Sequence, residues 1–161
     1  MPALGLFQEA APRVVSDSLE LANKVRKHMG QLQCDWKVYD AVPQEQILEI
    51  IFCGVHEWTH GREMQRHVEK ILAEHEAAGI VLNFLNYEYV FGNDVGASVI
   101  TAAYDLDSKK PRPACIVATG TTYQSLYQLF KIAKLIEALE IEFLHTVDSG
   151  LQRLRSRLGK Q

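Results

Sequence analysis

The residues whose chemistry is most directly legible are five in a row, His56-Glu57-Trp58-Thr59-His60. They match H-E-x-x-H. On a helix, side chains four residues apart share a face, so His56 and His60 could hold one zinc ion. Glu57 between them could then polarise a metal-bound water as general base. That constellation would make the chain a zinc-dependent hydrolase. The flanks argue against it. Gly54 and Gly61 bracket the motif, and glycine weakens a helix. The longer pattern H-E-x-x-H-x-x-G-x-x-H fails, because Glu63 and Arg66 stand at its glycine and third-histidine positions. His67, His75, Glu74, Glu76 and Glu88 are available as a third ligand, but none sits at a diagnostic spacing. On a continuous helix His67 would lie roughly 10 Å along the axis from His60, too far for the same ion. The plainer reading, a polar helix junction carrying two surface histidines, is the stronger of the two, and whether the chain is an enzyme stays open.

Other candidates are weaker. Asp105-Leu106-Asp107, followed by Ile116-Val117-Ala118-Thr119-Gly120, resembles the D-x-D and strand-threonine motifs of haloacid-dehalogenase-type phosphotransferases. The helix expected between them is missing, and too little chain follows for the later lysine and acidic motifs, so a solvated turn is the expectation. Thr119-Gly120-Thr121-Thr122 reads as a helix cap before it reads as an anion site. Phe84, Tyr87, Tyr89 and Phe91 could line a pocket for an apolar ligand, yet no polar anchor accompanies them. The basic residues Arg153, Arg155, Arg157 and Lys160 offset a helix macrodipole or face solvent. No serine-histidine-acid triad or Walker loop is legible from the spacing.

Composition narrows the function classes further. The chain has 161 residues, 47% of them hydrophobic and 23% charged, which suits one globular domain. A formal charge of -3 gives no general pull toward nucleic acid or an anionic membrane. Three scattered cysteines exclude a disulfide framework and a four-cysteine zinc site. The N-terminal residues lack the basic and apolar regions of a secretory signal. No stretch approaches the roughly 18 apolar residues of a membrane span. A cytoplasmic location is the expectation.

The elements that would position these residues read mainly as helices. Residues 1–13 form a loose lead-in, and 14–161 a single globular helical domain. Helical spacing predicts a helix over about 16–32. A second runs from Pro43 through Val55, apolar nearly all round and therefore central. A third spans Arg62 to Ala78, stopped by Gly79, and a fourth, the strongest, Thr121 to Leu144. Cys34–Val42 could be extended. Residues 97–118 fit either packed helices or a short hairpin. Val147, Leu151, Leu154 and Leu158 form a last apolar stripe. The expected fold class is mainly α, a bundle of about five helices. The expected function is a small non-catalytic interaction domain acting through its helical surfaces. Its partner would be another protein or a second copy, as an antiparallel homodimer through the C-terminal stripe. The alternative remains zinc chemistry at His56, Glu57 and His60.

Overall fold

The computed structural model describes residues 32–56, 61–89 and 95–160. The lead-in and the helix expected at 16–32 therefore fall outside the described residues, apart from Leu32, which is buried in the core. The fold is α/β and not a helix bundle. Strand β1 (Gln33–Val42) and strand β2 (Glu45–His56) form an antiparallel hairpin. Pro43 and Gln44 turn it. Proline presets the first central φ, and Gln44 takes φ 71°, the signature of a type II turn. Pro43 thus opens a turn and not a helix, and the segment after it is a strand.

The reason lies in where β2 sits. Helix α1 (Gly61–Glu74) leads from it to β3 (Gly79–Tyr89), which pairs parallel to β2. Beyond β3 come α2 (Val95–Ala103) and a two-stranded hairpin of β4 (Tyr104–Asp105) with β5 (Lys110–Pro111). The sheet then resumes with β6 (Ala114–Val117), followed by α3 (Gly120–Ile132), α4 (Leu135–Leu139) and β7 (Glu142–Leu144). Helix α5 (Val147–Leu158) is the last element. The sheet order is β1-β2-β3-β6-β7. Inner strands are buried on both faces, so they read as continuous apolar runs without alternation. Leu48, Ile50 and Phe52 of β2 point into one core and Ile47 into another. A run that is apolar on every side satisfies helical and strand templates alike, which is how β2 and β3 escape a periodicity reading.

Each parallel strand adds on the same side of its predecessor. Right-handed crossovers then put every connecting helix on one face of the sheet. Met64, Val68 and Ile71 of α1, Val95 and Val99 of α2, and Leu126 and Phe130 of α3 share one core with Ile50, Leu82 and Phe84. Among the described residues the opposite face is covered by α5, whose Leu151, Leu154 and Leu158 pack on Ile47, Val81, Cys115 and Val117. Thr146 caps this helix, its side chain accepting the Ser149 amide at 3.1 Å. Gly150 permits the approach. A Cβ there would sit 2.9 Å from the Cys115 sulfur, closer than real contacts allow. The C-terminal stripe is therefore core of its own domain, with Leu151, Leu154 and Leu158 at 6%, 0% and 5% exposure, and does not present the free apolar face on which the expected antiparallel homodimer was based.

The helix expected over 121–144 is also interrupted. After Ile132, which is 80% exposed, Lys134 enters the left-handed region (φ 56°) and so does Glu140 (φ 52°). These two reversals bracket the short α4 and swing the chain back, so that Phe143 of β7 pairs with Ile116 of β6.

Candidate functional site

The H-E-x-x-H residues do not lie on one helix. His56 is the last residue of β2, and α1 begins at Gly61. Glu57 and His60 lie outside the described residues, so of this motif only the His56 backbone is placed. Among the described residues, no three His, Cys, Asp or Glu side chains gather as a metal would require. Two of the available third ligands are engaged elsewhere. His67 lies 3.8 Å from Glu63 on the exposed side of α1. His75 packs its ring on Trp36 with centroids 4.1 Å apart.

The other chemistry-bearing residues resolve one by one. Asp105 forms a turn, accepting from the Asp107 amide at 3.0 Å and the Ser108 hydroxyl at 2.8 Å. The Ser108 hydrogen bond, followed by the backbone ones, holds its carboxyl below the usual carboxylate range. This is the solvated turn the sequence suggests. Phe84 and Tyr87 are core, with Phe84 stacked on Phe52 at 4.6 Å and Tyr87 edge-on to both rings, so they do not line an open pocket. The Tyr89 side chain and Phe91 lie outside the described residues. Burial pushes the Cys115 and Cys34 thiols up to about 12 and Cys53 up to about 11, which makes all three poor nucleophiles.

Under the edge of α5 lies a polar cluster that periodicity could not reveal. The Glu49 carboxylate, 3% exposed, accepts the Tyr39 hydroxyl at 2.5 Å and the Asn83 side-chain amide at 2.7 Å. Asn83 in turn accepts the Leu85 amide at 2.9 Å. Burial and the Glu49 hydrogen bond push the Tyr39 phenol upward. Every member has a partner inside the sheet, so the cluster ties β1, β2 and β3 together and presents nothing to a substrate. At the hairpin end, a cleft of about 420 Å³ opens to solvent between Asp40, Glu45 and Glu76.

Among the described residues, a partly exposed aromatic cluster has the character of a binding surface. Tyr123, Tyr127 and Phe130 follow one another on α3 at steps of four and three residues, and so share a face. Phe130 is buried, and the two tyrosines are half-buried, stacked with centroids 6.0 Å apart. Phe143 of β7 meets them edge-on at 5.6 Å and 5.3 Å. The exposed imidazole of His145 closes the group, 4.7 Å from Tyr123. The platform stands at the β7 edge of the sheet, beside the C-terminal ends of β6 and β7, where open α/β sheets place their ligands. Half-exposed tyrosines with one wet hydroxyl end and one apolar face are typical of protein interfaces. The Tyr123-x-x-x-Tyr127 spacing was present in the sequence. Its meaning depended on Phe143, which a continuous helix would have carried elsewhere.

No family model matches the chain, and no curated protein does. Among solved structures it is similar to an anti-sigma factor antagonist from Mycobacterium paratuberculosis, at 12% identity and a TM-score of 0.57, over 78% of this chain and 95% of that one. At that identity the likeness is one of fold.

Proposed function

We propose that this chain is a non-catalytic protein-binding domain whose partner docks on the aromatic platform of α3 and β7. The observation that carries the reading is the half-exposed cluster Tyr123, Tyr127, Phe143 and His145 at the end of the sheet. Two further points support it. The buried Glu49 cluster is satisfied internally by Tyr39 and Asn83. The structural neighbour is named for antagonism of an anti-sigma factor, and the corresponding partner for this chain is a protein of that class.

The test is calorimetric titration of the purified chain with the anti-sigma factors of its own genome. One of them should bind saturably. Tyr127→Ala should weaken that binding at least tenfold, as removal of a hot-spot aromatic does. His67→Ala, on the remote exposed side of α1, should leave it unchanged. Binding to none of them, or binding indifferent to Tyr127→Ala, would end this reading.

A further inference from the structure

At the other end of the sheet, β1 is an edge strand among the described residues, and at ten residues a long one. Long edges with free backbone groups are templates for pairing, and proteins ordinarily blunt them. Here Asp35, Trp36, Lys37 and Val38 are all exposed, with Trp36 at 41% and Val38 at 36%.

Which backbone groups face outward follows from the ladder. The Gln46 carbonyl accepts the Ala78 amide at 2.9 Å, on the β3 side of β2. Backbone direction alternates along a strand, so Leu48 and Ile50 also point toward β3. Their β1 partners, Val38 and Trp36, are therefore opposite residues that exchange no hydrogen bonds with β2. The amides and carbonyls of Cys34, Trp36 and Val38 point away from the sheet. The Trp36 amide confirms this, since it is satisfied by its neighbour's carboxylate, Asp35 Oδ1, at 2.9 Å. The next outward carbonyl, that of Asp40, is taken by the Arg155 guanidinium at 3.2 Å and 3.3 Å. Among the described residues no other strand or helix takes the outward backbone groups of 34–38, a stretch whose midpoint is Trp36.

We propose that β1 pairs antiparallel with β1 of a second copy, centred on Trp36, to join two sheets into one. A two-fold axis at Trp36 sets Trp36 against itself and Cys34 against Val38 of the second copy, and all of these residues have outward backbone groups. It also sets Asp35 directly opposite Lys37 of the second copy, twice by symmetry. These are the non-hydrogen-bonded positions, where cross-strand side chains come closest. The neighbouring symmetric registers lack this match. Centring on Lys37 opposes two lysines, and centring on Asp35 opposes two aspartates. Charge and backbone direction select the same register independently. Asp35 then has two roles. In the free chain its carboxylate covers the Trp36 amide, and in the dimer it turns to Lys37 and releases that amide to the new ladder. The occupant is a copy of this chain, and the α3–β7 platform stays open at the far edge of each.

Sedimentation equilibrium of the whole chain across a concentration series tests this. The wild type should dimerise reversibly. Lys37→Asp, which opposes carboxylates at both symmetric positions, should weaken the dimer roughly tenfold or more. The double variant Asp35→Lys/Lys37→Asp should restore it. Val38→Pro, which removes an outward amide that β2 does not use, should abolish dimerisation with an unchanged circular-dichroism spectrum. A wild type monomeric into the high-micromolar range overturns the proposal. So does a charge swap that fails to rescue, or a folded Val38→Pro chain that dimerises as before.

Discussion

The two faces of the sheet are built differently. One is covered by α1, α2, α3 and α4, whose side chains merge with Ile50, Leu82 and Phe84 into a single broad core. Among the described residues the other is covered by α5, over a narrow core of seven buried residues flanked by the Tyr39–Glu49–Asn83 cluster. The broad face distributes its stability over many contacts. The narrow face concentrates it, since α5 comes close enough that a Cβ at Gly150 would sit 2.9 Å from the Cys115 sulfur. The difference teaches that a small core can be as demanding as a large one, because few contacts share the error.

The largest expected effect is on the broad face. Phe130→Ala should cost about 3–5 kcal/mol in urea denaturation, as truncation of a fully buried aromatic does. A loss near zero would mean that the broad face is redundant. Gly150→Ala on the narrow face should cost about 1–3 kcal/mol through overpacking. Combined with Cys115→Ala, which vacates the sulfur's space, the cost should be well below the sum of the two single losses. A strictly additive pair would show that the close approach is not what Gly150 provides. Glu49→Leu should cost about 1–3 kcal/mol, because it orphans the Tyr39 hydroxyl and the Asn83 amide. The triple replacement Tyr39→Phe/Glu49→Leu/Asn83→Leu should recover much of that loss.

The next effect appears only in alkali. The three thiols are held protonated by burial, at about 11 for Cys53 and about 12 for Cys34 and Cys115. A raised folded pKa means stability that is whole below the unfolded value, roughly 8.5, and is lost as pH climbs toward the folded values. Stability measured from pH 8 to 11 should fall progressively, and replacing all three cysteines by alanine should flatten that slope. The smallest effect should come from Arg153→Ala. Its contacts to Glu142, at 2.7 Å and 2.9 Å, lie on the exposed rim of α5 and are worth at most about 1 kcal/mol.

The same contrast explains what the residues disclosed in advance. Helices α1 and α5 each bury one stripe and expose the rest, so Met64, Val68 and Ile71, and likewise Leu151, Leu154 and Leu158, were legible from spacing. The start of α3 was legible for the same reason. Strands β2 and β3 are wrapped on both sides, and Ile47 to Phe52 carries no period to separate strand from helix. Their neighbour Pro43 fits a helix start and a hairpin turn equally well, and only pairing with β1 decides between them. The helix expected over Thr121–Leu144 runs past the end of α3 because left-handed Lys134 and Glu140 are not residues that announce a reversal. That one error hid the aromatic platform, which exists only once Phe143 leaves the helix for β7. The H-E-x-x-H motif was legible as letters, but its helical premise failed at His56.

Helix α5 also sets an order of events during synthesis. Domains assemble as the chain leaves the ribosome from its N-terminal side. Strands β1, β2, β3, β6 and β7, with α1 to α4, emerge before α5, so the sheet can be sealed on one side while Ile47, Val81, Cys115 and Val117 still face solvent. That bare patch is the natural foothold for a chaperone, and translation that stalls before Val147 leaves it permanently uncovered. Nascent chains arrested just before and just after α5 should differ sharply in chaperone occupancy and in their tendency to aggregate.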